Sequence, residues 1–95
     1  MTAALTIHVA HSHLYPGCTV RISDLPASIT AADALVEFSD GSGARATCRF
    51  RSAIEMELNV DAYTTQKRHP IDAKRWLLQA TDDADPRWRV TRRLR

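Results

Sequence analysis

The chain is poor in several residue types, and each shortage removes a class of protein. Only two of its 95 residues are cysteine, three are glycine and two are lysine. Cys18 and Cys48 make no disulfide framework, and each is expected to act as a small buried hydrophobe. No glycine-rich loop exists to cradle a phosphate, because Gly41 and Gly43 belong to one turn-like stretch, Asp40-Gly41-Ser42-Gly43. No apolar run approaches the roughly 18 residues of a membrane-crossing helix. Met1-Thr2-Ala3-Ala4 lacks the basic segment and apolar run that open a secretory signal. These shortages lead to the expectation of a cytoplasmic protein that does not engage a membrane. Neither CxxC nor HExxH occurs, and no internal repeat or low-complexity segment is visible.

What is present fits one folded unit. Hydrophobic residues are 44% and charged residues 25%, ordinary values for a globular domain. The length suits a single core, so residues 1–95 are expected to form one domain, flexible at 1–3 and 94–95. Pro16-Gly17, Pro26, Asp40 to Gly43, His69-Pro70 and Asp82 to Pro86 cut the chain into strand-sized pieces.

Leu5, Ile7 and Val9 alternate with polar neighbours, and so do Cys18 to Ile22; period 2 is the strand signature. Pro16-Gly17 suits a type II turn between them. A third strand is expected over Ala34 to Ser39, with Val36 and Phe38 on one face, preceded by a possible helical turn at Thr30 to Asp33. Asp40-Gly41-Ser42-Gly43 is the best hairpin signal. Ala44 to Val60 then alternates for seventeen residues. It reads as one bent strand, or as two joined by a turn centred on Ser52. That turn would pair Phe50 with Ile54, Cys48 with Met56 and Arg49 with Glu55.

Residues 72–80 are ambiguous. Ala73, Trp76, Leu77 and Ala80 have helical spacing, whereas Trp76, Leu78 and Ala80 alternate. A strand is expected over 87–94, rich in β-formers, although Asp85-Pro86 would also suit a helix start. The fold expected is mainly β: a small antiparallel barrel or sandwich of five to six strands. The alternative is an α+β domain with one helix near residues 71–81.

No constellation points firmly to catalysis. His11, His13 and Cys18 are weak metal candidates, but they supply at most three ligands where a closed zinc site takes about four. Polar residues ending a strand explain them as well. Cys18 with His11 or His13, or Ser12 with His8, is a nucleophile and base on paper only. Glu55 and Glu57 share a face with Arg49, Arg51 and Asn59 and read as a solvated row. The expectation is a non-enzyme without cofactor.

Charge is more informative. Eleven arginines stand beside two lysines. Arg grips carboxylate and phosphate bidentately, but the excess, beside fourteen alanines, also fits codon bias. Residues 1–65 hold four basic and seven acidic side chains, whereas 66–95 hold nine and four. A strand over 87–95 would put Arg87, Arg89, Thr91, Arg93 and Arg95 on one face, with alternate residues about 6.6–6.8 Å apart, near the phosphate repeat of a nucleic-acid strand. Lys67, Arg68, Lys74 and Arg75 would extend that patch. A solvated edge strand guarded by charge gives the same pattern.

The sequence therefore suggests a compact inhibitor or adaptor docking on a larger, acidic-surfaced protein through C-terminal arginines. A nucleic-acid-binding β-domain using the same row is the alternative, and pairing of acidic with basic halves in a homodimer is a third. A small zinc-binding or hydrolytic protein is the least supported.

Overall fold

A computed structural model describes residues 5–23, 30–81 and 87–94. Its regular elements are all strands: β1 (Leu5–Val9), β2 (Thr19–Ser23), β3 (Ala31–Glu37), β4 (Gly43–Ser52), β5 (Glu55–Val60), β6 (Tyr63–Thr64), β7 (Pro70–Ile71), β8 (Lys74–Ala80) and β9 (Trp88–Leu94). Seven of them close a barrel in the order β1-β2-β9-β8-β5-β4-β3, and β6 and β7 form a separate two-stranded arm. No helix among the described residues is long and apolar enough to cross a membrane.

The barrel confirms the mainly-β expectation and corrects its details. It has seven strands rather than five or six, and it is mixed, because β1 runs parallel to β3, Ile7 opposite Val36. The helix near 71–81 is absent. Residues 74–80 are strand β8, paired on both sides. Burying Trp76 and Leu78 between two neighbouring strands outweighs the helical propensity of that stretch. The helical turn at Thr30 to Asp33 is absent too, since Ala31 already begins β3. The Asp85-Pro86 helix start, residues 1–3 and Arg95 lie outside the described residues.

Alternation decides what fills the barrel. Leu5, Ile7, Val36, Met56, Leu58, Leu78 and Val90 are almost completely buried. Ala32, Ala34, Ala44 and Ala46 face the same core from β3 and β4, so small side chains on one wall make room for large ones on the other. Trp88 lies edge-on to Phe50, 5.7 Å apart, and Phe38 stacks on Tyr63 at 4.8 Å.

Local chemistry sets the tight turns. Cys18 N–H donates to Tyr15 O at 3.2 Å across Pro16-Gly17, and Gly17 has φ 97°. This is the type II turn, which needs glycine at its third position. Asp40 Oδ1 accepts the Ser42 N–H at 2.9 Å and so fixes the β3–β4 turn. The β4–β5 hairpin does exist, but its turn is at Ala53–Ile54 and not centred on Ser52. Ser52 faces Glu55, Phe50 faces Met56, Cys48 faces Leu58 and Arg49 faces Glu57. The register is two residues from the expected one, which leaves Cys48, Phe50, Met56 and Leu58 on their expected face, whereas Ile54, expected opposite Phe50, is exposed in the turn.

Candidate interaction face

The outward positions of β4, β5, β8 and β9 form one surface. Register places Arg49, Glu57, Leu77 and Arg92 in a row across the four strands. At about 4.8 Å per strand, Arg49 and Arg92 are about 14 Å apart. Asn59, Arg75 and Leu94 make the next row, and Glu55, Gln79 and Arg89 the one on the other side. Arg45 and Arg51 complete the β4 edge. Six arginines thus share the surface with two glutamates.

A β-bulge sets this arrangement. Leu78 faces Val90, whereas Leu77 faces Arg92, so Thr91 is the extra residue on β9. Its hydroxyl donates to Leu77 O at 2.8 Å. A bulge shifts the alternation by one. The expected row Arg87, Arg89, Arg93 and Arg95 is therefore broken. Arg93 pairs with inward-facing Trp76 and lies on the opposite side of the strand from Arg89. Arg92, absent from the sequence expectation, turns outward instead. Arg87 is half-buried just before β9. Lys67 and Arg68 belong to the turn of the β6–β7 arm, and Lys74 stands at the barrel's rim. Among the described residues of the expected set, Arg75 and Arg89 alone share the face; Arg95 lies outside the described residues. Arg45, Arg49, Arg51 and Arg92 are its unanticipated members. The odd-position parity of the first three was visible in the sequence; their juxtaposition with β8 and β9 was not.

Glu57 anchors the centre. It points outward yet is only 8% exposed, which corrects the solvated-row reading. Arg51 Nη2 donates to Glu57 Oε1, and Arg75 Nη2 approaches the same oxygen at 3.4 Å. The Arg51 hydrogen bond holds the Glu57 carboxyl below its ordinary range, and the nearby positive charges reinforce this. Arg51 also pairs with Glu55 at 3.5 Å. Leu77, facing outward beside Glu57, is 7% exposed, as expected where long arginine stems lie across an apolar neighbour. Leu35, directly opposite Arg45 on β3, and Ile54 in the β4–β5 turn are exposed apolar residues flanking the face.

The other clusters are simpler. Cys18 is buried, whereas His11 and His13 are exposed. His11 Nε2 hydrogen-bonds with the Tyr15 hydroxyl at 3.1 Å, and His13 Nδ1 with Ser12 Oγ at 3.3 Å. The three candidates do not converge, and no group of three or more possible metal ligands occurs among the described residues. Burial raises the Cys18 thiol pKa and pushes Cys48 up to about 11, opposite to the shift that activates a nucleophile. Ser12 contacts His13 rather than His8. His8 instead joins Ser23 Oγ at 3.1 Å and Glu37 Oε2 at 3.3 Å across β2, β1 and β3. That relay has the order of a hydrolytic triad, but it lies on the convex outside of the barrel, where a reacting carbonyl would remain in water.

No family model, no curated protein and no solved structure matches this chain.

Proposed function

We propose that the protein is a non-catalytic binding module, a compact inhibitor or adaptor, whose arginine face docks on an acidic surface of a larger protein. The observation that carries this is the gathering of Arg45, Arg49, Arg51, Arg75, Arg89 and Arg92 on β4, β8 and β9, with β5 and its glutamates between β4 and β8. Arg is the cation suited to carboxylates at interfaces, because its planar fork matches them bidentately. Glu57, held by Arg51 and Arg75, is an internal example of the group the face would take from a partner. It also fixes two guanidinium groups before a partner arrives, which lowers the entropy cost of binding.

Leu35 and Ile54 favour a protein over a nucleic acid. Exposed apolar side chains beside arginines suit a protein interface, whereas single-stranded nucleic acids are usually held by stacking aromatics. The described outward positions of β4, β5, β8 and β9 carry no aromatic residue. Two unpaired cysteines support a reducing compartment, the cytoplasm.

The test is affinity capture from nuclease-treated host extract with wild type and two variants. Arg49→Glu combined with Arg92→Glu should weaken capture of a defined partner by about ten-fold or more. Arg68→Glu should leave it near wild type, because Arg68 belongs to the turn of the β6–β7 arm and not to the face. Capture that survives the double reversal places the interface elsewhere. Retention of duplex DNA at low salt, lost on the same double reversal, would replace the protein reading with the nucleic-acid one. A homodimer dissolved by that reversal would point to Asp33 and Glu37, outward on β3, as the acidic counterpart.

A further inference from the structure

At the barrel end reached by Val60 and Lys74, the interior does not close completely. A cavity of about 260 Å³ opens between the barrel mouth and the β6–β7 arm. Its walls are Leu14, Phe38, Val60, Tyr63, Ile71 and Trp76, and Lys74, Asp72 and His13 stand where it opens. The arginine face lies on the outside of the barrel, so this is a separate place in the molecule.

We propose that this mouth binds a small aromatic carboxylate, with its ring system inside and its anionic group at Lys74. Barrel mouths are common small-molecule sites, mostly apolar with a few polar groups that fix orientation. Size is the first argument. An apolar cavity of about 150 Å³ holds benzene, so the larger space here admits a fused pair of rings or one ring with a side chain. The walls are the second argument. Phe38 and Tyr63 stack with 14° between their rings, and Trp76 lines the same space. Such surfaces attract a flat π-system by offset or edge contact.

Charge is the third argument. Lys74 is half-buried, and no carboxylate of the described residues pairs with its ammonium. Its neighbour Arg75 is already engaged with Glu57. Asp72 and His13 are exposed, so water screens them more than it screens Lys74. The lysine stem adds apolar wall while its head meets the ligand's anion.

The arm provides entry. Its ladder is only two pairs long, Tyr63 with Ile71 and Thr64 with Pro70, and an isolated short hairpin is marginal in water. Most of its stability must come from packing on the mouth, so it can part from the mouth without unfolding the barrel.

The experiment follows amide and indole resonances of the whole chain during titration with naphthoate, neutral naphthylmethanol and cationic naphthylmethylammonium. Naphthoate should shift Leu14, Tyr63 and the Trp76 indole, and leave Trp88, packed against Phe50 away from the mouth, unmoved. It should bind about five-fold tighter than the alcohol, the order expected for one half-exposed ion pair. Lys74→Met should erase that preference while alcohol binding persists. Ile71→Trp, at a half-buried arm position, should fill the cavity and abolish binding of both. The proposal is overturned if millimolar probe leaves these resonances unmoved, or if shifts fall only on the arginine face. Tighter binding of the ammonium probe, or undiminished binding to folded Ile71→Trp, overturns it equally. None of these results bears on the docking role of the arginine face.

Discussion

A carboxylate facing outward from a barrel is ordinarily solvated, and Glu57 shows what changes when arginines surround it. Arg51 and Arg75 share one of its oxygens, and its pKa is lowered mainly by the Arg51 hydrogen bond. The consequence for stability has a definite sign. The folded protein releases the Glu57 proton at lower pH than the unfolded chain does. Its contribution is therefore complete above the ordinary glutamate range, about 4.3, and is lost as pH falls through the depressed folded value. Urea unfolding of Glu57→Gln should show a smaller stability difference between about pH 6 and about pH 3 than wild type shows. An unchanged difference would mean that other carboxylates set the acid limb. The sequence revealed which face Glu57 occupies but not its burial, because burial depends on arginines from two other strands.

Elements differ in how firmly the barrel holds them. β3 and β4 share seven register pairs, Ala31 with Arg49 through Glu37 with Gly43, whereas among the described residues β2 and β9 share only Thr19 with Arg89 and Val20 with Trp88. Two flanking backbone bonds lengthen that seam, Val90 N–H to Cys18 O at 2.8 Å and Gly17 N–H to Val90 O at 2.7 Å. Among the described residues the seam is still the shortest ladder in the closed sheet. Local opening starts where few bonds must break. Native-state hydrogen exchange should therefore be faster for Val20 and Val90, whose N–H crosses this seam to Cys18 O, than for Ala46 and Leu58, and equal protection would show that the barrel opens only as a whole. The elements also show what was legible. The turns at Pro16-Gly17 and Asp40 to Gly43 were readable because their chemistry is local. The alternation of Ala44 to Val60 was readable because one side of it is buried. The bulge at Thr91, and a second at Arg51 where Phe50 faces Met56 but Ser52 faces Glu55, were not, since neither residue has a side chain that demands one.

At the scale of the molecule, closure joins distant segments. β2 lies against β9 across most of the chain, and β1 against β3 across about a third of it. Such contacts must form before they stabilise anything, so two-state refolding in the range of milliseconds to seconds is expected, slower than for a helical bundle of this length. Stopped-flow refolding followed by Trp88 and Trp76 fluorescence measures it, and microsecond folding would contradict the non-local nucleus that closure implies. Closure also redraws the charge map. The linear chain divides into an acidic first part and a basic last part, but Arg45, Arg49 and Arg51 come from the first and join Arg75, Arg89 and Arg92 from the last. Composition, turn chemistry and period-2 alternation by themselves determined that this is a mainly-β protein and which side of each strand is apolar, because these depend on neighbours a few residues apart. The number of strands in the ring, the extended state of residues 74–80, the outward turn of Arg92 and the gathering of six arginines were decided only by tertiary structure. Each depends on which strand lies beside which and in what register, and pairing across the barrel is a property of the closed sheet rather than of any segment within it.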